Sequence, residues 1–145
     1  MPKARIPPHL RRKVEQAAKH RCGYCLTPQA ITGMRMQIDH IIPEAMGGAT
    51  VEDNLWLACV SCNRFKSDRT HADDPVTGQR VRLFNPRTQE WKQHFTWSEY
   101  GIEIIGLTPS GRAMIDALHM NNADIVGARS LWVQAGWWPP ENQEG

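Results

Sequence analysis

The sequence predicts a small α+β protein, and three patterns lead to this prediction. Two short β-rich stretches, 36–42 and 54–58, lie on either side of a loop, and a stretch without helix breakers follows at 63–68. An amphipathic helical pattern precedes them at 10–17, and further short strand and helix patterns follow residue 78. Strands and helices that are mixed without regular alternation are typical of the α+β class.

Length and composition limit the class of protein. The chain has 145 residues, which corresponds to one domain or to a compact core with an extension. No run approaches the about 18 apolar residues of a membrane-spanning helix, and residues 1–10 lack the apolar stretch of a secretory signal. We therefore expect a cytoplasmic protein without a membrane partner.

Positive charge is concentrated at the start of the chain. The net charge is +2, but residues 1–36 hold eight Lys and Arg against one acidic residue (+7), and residues 37–145 hold nine against fourteen (−5). Arg11, Arg12 and Lys13 belong to the basic segment and are the candidates for nucleic-acid contacts. A basic helix can bind phosphates or can present a solvated face, and charge alone leaves both alternatives open.

The first helix is predicted to follow Pro7 and Pro8. Leu10, Val14 and Ala17 recur at i, i+4 and i+7, with arginine and lysine between them, so one face is apolar and the other basic. After the first predicted strand, a pair of glycines supplies the positive φ angles that a wide loop needs. The second strand and a helix follow, which gives the order strand, loop, strand, helix.

The remainder of the chain is predicted to be an αβ extension. His71–Thr77 is polar and is expected to be the loop that leads into it. Thr108 and Pro109 are typical of a helix start, because threonine caps the helix and proline is tolerated at its first position. Five of the six tryptophans lie in the extension; they could stack on bases, but filling a second small core is the favoured hypothesis. The other predicted elements are a strand at Val81–Phe84, a hairpin of Gln93–Ser98 and Ile102–Leu107, and a helix from Ala123 to Ala135 that Gly136 ends.

The four cysteines form two identical pairs, Cys22 with Cys25 and Cys59 with Cys62, each separated by two residues. Two thiolates at this spacing can turn toward one point, and two such pairs complete a tetrahedral Zn²⁺ site. Disulfides would be reduced in the cytosol, which favours the metal. Four thiolates leave no open coordination position, so this zinc would be structural and would staple two distant segments together.

Five motifs lie between residues 22 and 68, and together they resemble the zinc-stapled type of HNH endonuclease. The resemblance covers about a third of the chain. It implies a ββα-metal nuclease core at 22–72, with a basic N-terminal helix at 1–21 and a C-terminal αβ extension at 78–145. In chain order, the motifs are Cys22-x2-Cys25, Ile38-Asp39-His40-Ile41-Ile42-Pro43, Gly47-Gly48, Asn54-Leu55 and Cys59-x2-Cys62-Asn63-x2-Lys66.

The resemblance also implies catalytic roles. His40 matches the general base that activates water, and an imidazole can take up a proton near neutral pH. Asp39 and Asn63 match metal ligands, and their oxygen donors favour Mg²⁺ or Mn²⁺. Many relatives have histidine where this chain has Asn63, and the amide oxygen shifts the expected preference toward Mg²⁺. Asn54 matches the asparagine that fixes the loop and orients the base.

Two expectations concern the geometry of this site. Adjacent side chains of a regular strand point to opposite faces, so Asp39 and His40 can face one metal only if the strand twists or ends there. Lys66 and Arg64 are predicted to contact phosphates, because helical spacing places Lys66 one turn from Asn63.

The expected activity is metal-dependent hydrolysis of phosphodiester bonds in DNA. Phosphate contacts carry no base information, so we expect weak sequence preference. One such site cuts one strand, so a double-strand break would need a homodimer or successive nicks. Two alternatives stay open: a non-catalytic zinc-ribbon module that binds nucleic acid, and an HNH nuclease that acts on RNA.

Overall fold

A computed structural model describes residues 5–139. Lys3 of the predicted basic segment and the last six residues of the predicted extension at 78–145 lie outside the described residues. Among the helices within the described range, none combines the length and the apolar composition needed to cross a bilayer.

The described chain divides into two compact units. The first unit contains residues 5–70 together with Asn85–Arg87, and the second contains His71–Phe84 together with 88–139. The first unit is therefore discontinuous in sequence, because it includes a short segment from later in the chain.

The first unit contains the predicted order of strand, loop, strand and helix, which is confirmed. The helix after the second strand begins before the predicted Asn63, because Sγ of Cys59 accepts a hydrogen bond from the backbone N–H of Cys62 at 3.4 Å and caps it. The elements are α1 (Pro8–Ala17), α2 (Gln29–Thr32), β1 (Gln37–His40), 3₁₀ turns at Glu44–Met46 and Glu52–Asn54, β2 (Leu55–Ala58) and α3 (Val60–Lys66).

Strands β1 and β2 form an antiparallel hairpin around the loop. The register pairs Asp39 with Trp56 and His40 with Leu55. Burial increases along β1, and its last two residues, Asp39 and His40, are both buried. The chemistry-bearing residues thus lie where the strand enters the interior and ends.

Helix α1 packs on β2 with the predicted apolar face. Val14 is completely buried, and so are Leu55 and Leu57 of the strand. Arg12 and Lys13 are exposed on the other side of the helix. The predicted apolar face is therefore confirmed at Val14 and in part at Leu10, which is half-buried, whereas Ala17 is exposed and Ala18 is buried in its place.

The second unit contains two further hairpins and a helical part. The predicted helix start is confirmed, because Oγ1 of Thr108 accepts a hydrogen bond from Gly111 N–H at 3.0 Å. Gly136 ends the last helix with φ 81°, a conformation in which glycine is favoured. The elements are β3 (His71–Asp73), β4 (Arg80–Arg82), α4 (Trp91–His94), β5 (Phe95–Trp97), a 3₁₀ turn at Glu99–Gly101, β6 (Ile104–Gly106), α5 (Pro109–Ala117) and α6 (Ala123–Ala135).

The prediction of a loop at His71–Thr77 is wrong for its first three residues, whereas 74–77 form a turn as predicted. The first three residues are β3, which pairs with β4, and only Ala72 of β3 is buried. The strand is too short and too exposed to leave an apolar pattern in the sequence. The strand predicted at Val81–Phe84 also begins one residue earlier and ends at Arg82.

Aromatic side chains fill the interior of the second unit. The ring of Phe95 stacks on Trp91 at 5.1 Å, and the ring of Trp97 meets Trp138 edge-on at 4.9 Å. Trp137, by contrast, is 62% exposed. These contacts agree with the hypothesis of a second small core for most of the tryptophans.

Arg87 explains why Asn85–Arg87 belongs to the first unit. Its guanidinium donates to the carbonyl oxygen of Leu55 at 3.2 and 3.3 Å and lies 4.9 Å from the centre of the Trp56 ring. This segment therefore braces β2 from outside the contiguous ββα sequence.

Candidate active site and metal centre

The four cysteine sulfurs lie close together, with every pair within 4.8 Å. Cys22 and Cys25 precede α2, whereas Cys59 and Cys62 begin α3. Backbone N–H groups of Tyr24 and Cys62 donate to the sulfurs of Cys22 and Cys59 at 3.4 Å each. The two pairs thus form two turns that face each other.

The dimensions of this cluster fit a zinc ion. Sγ of Cys25 lies 3.8 Å from Sγ of Cys59, which is too long for a disulfide. A tetrahedron with Zn–S bonds of about 2.3 Å has sulfurs about 3.8 Å apart. Burial raises the pKa of the Cys22 thiol well above its ordinary value, so a cation is needed to favour the thiolate. The donor set therefore suits a closed, structural Zn²⁺ site.

A cleft in the first unit brings together the residues of the sequence motifs. Asp39, His40, Asn63 and Arg64 all line it, along with the glycine-containing loop between β1 and β2. β1 ends at His40, which allows two adjacent residues to line one cleft despite the alternation of a regular strand. The candidate site is thus assembled from the end of β1, the loop and α3.

The imidazole of His40 is held by a residue that the sequence analysis missed. Nε2 of His40 lies 2.9 Å from Oγ1 of Thr50, and His40 is 7% exposed. Thr50 lies two residues before the 3₁₀ turn at Glu52–Asn54, which leads to β2. A single threonine in a loop carries no sequence signal of such a contact, which depends on how the loop folds back.

Asn54 fastens the loop to the end of β1. Its Oδ1 accepts from the N–H of Ile42 at 2.8 Å, and its Nδ2 donates to the carbonyls of Ile42 at 3.0 Å and Ala49 at 2.9 Å. Gly48 fits beneath these contacts only because it lacks a side chain, since a Cβ there would lie 1.7 Å from the Ile42 oxygen. The loop that contains Thr50 is therefore fixed to the strand that contains His40.

The carboxylate of Asp39 points into a buried polar cluster. Its Oδ2 accepts from the hydroxyl of Tyr24 and lies 3.2 Å from Nζ of Lys66. Burial, together with the nearby carboxylate, raises the pKa of the Tyr24 hydroxyl well above its usual value, so this group donates as a neutral phenol. Tyr24 lies inside the first cysteine turn, and no sequence pattern indicates its contact with Asp39.

Lys66 does not fit its predicted role as a phosphate contact. It is 2% exposed, and its Nζ also donates to the carbonyls of His40 and Ile41 at 3.4 Å each. The ammonium group makes its contacts inside the protein, because the last turn of α3 directs the side chain toward the end of β1. Helical spacing located the residue correctly but could not indicate which way its side chain points.

The side chains of Asn63, Arg64 and Arg11 differ in how available they are to a ligand. Nδ2 of Asn63 donates to Oε1 of Gln37 at 2.6 Å, which leaves the amide oxygen as the atom that a cation could use. Arg64 is exposed on α3, with its guanidinium 5.0 Å from the centre of the Phe65 ring. Arg11 instead turns back to Glu15 at 3.1 Å, so it is less free to contact a phosphate than was predicted.

The oxygen donors at the cleft suit a hard divalent cation. Asp39 offers a carboxylate and Asn63 an amide oxygen, and such donors suit Mg²⁺ or Mn²⁺ better than zinc. The ammonium of Lys66 lies against the same carboxylate, so a bound cation and Lys66 would share the charge of Asp39. The residues present therefore fit a catalytic metal, with Lys66 as a competing partner.

Comparisons with known proteins agree with this geometry. The HNH endonuclease family model matches residues 22–69. An alignment over 75 residues, which covers 48% of this chain, is 33% identical to the CRISPR-associated endonuclease Cas9 of Corynebacterium diphtheriae. The match covers 7% of the length of that relative. No solved structure matches the chain at a significant level.

The family match, the sulfur cluster and the order of strand, loop, strand and helix coincide in one segment. Residues 22–69 of this chain therefore match the HNH endonuclease family, and the four cysteines within the match form a cluster that fits its zinc-stapled type.

Proposed function

We propose that this protein is a metal-dependent endonuclease that hydrolyses phosphodiester bonds in DNA, with His40 as the general base. One observation carries the proposal: His40, Asp39 and Asn63 line the same cleft within the segment that matches the HNH family. The related Cas9 is named an endonuclease, which supports nuclease activity in general.

His40 supplies the proton acceptor that hydrolysis needs. A water molecule gives a proton to the imidazole, and the oxygen of that water attacks phosphorus. The bond from phosphorus to one ester oxygen then breaks. The leaving oxygen then takes a proton from solvent. His40 lies at the cleft and one of its ring nitrogens contacts Thr50, so the other ring nitrogen is the candidate for the proton acceptor.

Asp39 and Asn63 would hold a single Mg²⁺ or Mn²⁺ through a carboxylate and an amide oxygen. The bound cation supplies positive charge that offsets the charge developing on the phosphate and on the leaving oxygen. Gln37 keeps the amide of Asn63 in the orientation that presents its oxygen. The hydroxyl of Tyr24 orients the carboxylate of Asp39, whose charge a bound cation would share with Lys66.

Exposed cations of the first unit supply the contacts to the DNA backbone. Arg12 and Lys13 lie on the outer face of α1, and Arg64 lies at the rim of the cleft. These groups recognise phosphates and not bases, so the preference for sequence is weak. Cleavage of both strands then requires successive nicks or two copies of the chain.

The test is the nicking of supercoiled plasmid with Mg²⁺ or Mn²⁺. The wild type converts supercoiled plasmid to the open circle, and His40→Ala reduces the rate by at least about a hundredfold because the base is lost. His9→Ala, which removes an exposed histidine of α1, retains the wild-type rate. Plasmid that stays intact with every metal contradicts the proposal.

Two parallel assays separate the alternatives. Cleavage of single-stranded RNA with intact plasmid DNA would make RNA the substrate. Binding of DNA without cleavage, at equal affinity for wild type and His40→Ala, would favour a non-catalytic zinc module.

A further inference from the structure

The two ring nitrogens of His40 have different surroundings. Nε2 lies 2.9 Å from Oγ1 of Thr50, whereas the ring as a whole lines the cleft. The residue is 7% exposed, so the ring is packed and has little freedom to turn over. One nitrogen is therefore committed to Thr50, and the other is left for the reaction.

Thr50 is itself held in place by the loop. Asn54 donates to the carbonyl of Ala49, the residue before Thr50, at 2.9 Å. The same side chain bonds the N–H and the carbonyl of Ile42, two residues after His40. His40 and Thr50 thus sit on two segments that one asparagine joins, which fixes the distance between them.

The direction of the hydrogen bond decides which nitrogen can act as a base. If the Thr50 hydroxyl donated to Nε2, the proton of a neutral imidazole would be on Nδ1, and neither nitrogen could accept a proton from water in the cleft. If Nε2–H donates to the hydroxyl, Nδ1 carries a free lone pair. Only the second arrangement is compatible with general-base catalysis.

We propose that Thr50 is a positioning residue, whose hydroxyl oxygen accepts a hydrogen bond from Nε2–H of His40 and so fixes the tautomer in which Nδ1 receives the proton from water. The proposal rests on the assignment of His40 as the base. In this proposal the glycine-containing loop connects the two strands and also holds Thr50 against His40. Asn54 then acts on His40 indirectly, by holding the loop segment that carries Thr50.

The test combines a spectroscopic readout with kinetics. ¹⁵N NMR of the imidazole side chains in alkaline buffer, with His40→Ala to assign the signal, reports which ring nitrogen carries the proton without any need for activity. Thr50→Val removes the hydroxyl at nearly constant volume, and Thr50→Ser keeps it. Thr96→Val, at an exposed position of β5 in the other unit, is the matched control.

We expect the Nε2–H tautomer in the wild type, in Thr50→Ser and in Thr96→Val, and a mixture of tautomers in Thr50→Val. For plasmid nicking, kcat of Thr50→Val falls at least about fivefold with KM unchanged, and serine restores it. An Nδ1–H tautomer in the wild type, or an unchanged tautomer and kcat in Thr50→Val, overturns the proposal. The proposal is also overturned if Thr50→Ser does not have the kcat of the wild type, because the methyl group of Thr50, and not its hydroxyl, would then be required. If the wild type does not nick but shows the Nε2–H tautomer that Thr50→Val loses, the hydrogen bond stands and the nuclease assignment fails.

Discussion

Nζ of Lys66 lies 3.2 Å from Oδ2 of Asp39, and both side chains are less than one-tenth exposed. This ion pair joins the last turn of α3 to the end of β1, and it accounts for the buried position of a side chain that helical spacing assigns to the surface. Removal of one partner leaves a buried charge without compensation, which is more costly than removal of both.

We therefore expect Lys66→Met to lower the free energy of unfolding by roughly 3–5 kcal/mol. The double variant Lys66→Met with Asp39→Asn should recover part of this loss, because the lone carboxylate is gone. Urea denaturation of the two single variants and the double variant measures the coupling. If the losses simply add, the two side chains do not depend on each other and the pair has no special role in the fold.

Gly48 is a position where the addition of a single methyl group should lower the free energy of unfolding. A Cβ at this residue would lie 1.7 Å from the carbonyl oxygen of Ile42 and 2.9 Å from Nδ2 of Asn54, so Gly48→Ala must displace the loop. We expect a loss of roughly 1–3 kcal/mol in stability and slower nicking, because Thr50 moves with the loop. Gly127→Ala in the exposed interior of α6, where a Cβ meets no atom within 4 Å, should instead stabilise by about 0.5–1 kcal/mol. Equal effects of the two substitutions would contradict the close packing at Gly48.

The sulfur cluster predicts about one zinc per chain in freshly purified, reduced protein. Elemental analysis measures this content, and Cys62→Ser should lower it sharply because one of the four ligands is lost. A strong chelator should unfold the first unit, since the cluster joins the segment before α2 to the start of α3. Full retention of secondary structure after complete loss of zinc would show that the cluster does not support the fold.

Acid stability of the second unit should depend on Asp74. Hydrogen bonds from Arg112 at 3.0 and 2.8 Å hold the pKa of this carboxyl well below its usual range. The folded protein therefore keeps Asp74 ionised at a pH where the unfolded chain has taken up a proton, so the contribution is complete above about pH 4 and is lost as the pH falls further. The difference in unfolding free energy between wild type and Asp74→Asn should shrink along that range.

Asp73 supplies the control for this experiment. Its ion pair with Arg80 is 3.8 Å long and both side chains are 70% exposed, so solvent screens it. Asp73→Asn should leave the dependence of stability on pH almost unchanged. A pH dependence that Asp74→Asn does not alter would assign acid sensitivity to another group.

Nucleic-acid affinity should depend on the outer face of α1. The double variant Arg12→Ala with Lys13→Ala should weaken DNA binding and reduce the slope of log affinity against log salt by about 2, since each phosphate contact contributes about 0.9. The double variant Arg82→Ala with Lys92→Ala removes the same charge from exposed positions of the second unit. An equal loss from both double variants would mean that net charge, and not α1, governs binding.

Local sequence patterns predicted α1, β1, β2 and α3 of the first unit, but not the short α2, because the patterns of those four elements are short-range. The cysteine spacing, the paired β-rich stretches and the apolar face of α1 each depend on residues within a few positions of one another. The contacts that Lys66 and Thr50 make with His40 join residues 26 and 10 positions apart, and no local periodicity encodes them. Sequence reasoning therefore located His40 and Asn63 at one site but not the side chains that orient them.

The segment Asn85–Arg87 has a consequence for any attempt to isolate the first unit. Arg87 bonds the Leu55 carbonyl and stacks on Trp56, yet it follows β3 and β4, which belong to the other unit. A fragment that stops after residue 72 would expose one face of the Trp56 ring and leave the strand next to His40 without its outer brace. Transplanting the first unit into another protein therefore requires two stretches of chain. If only one is taken, we expect a shortened version that binds zinc but cleaves DNA poorly.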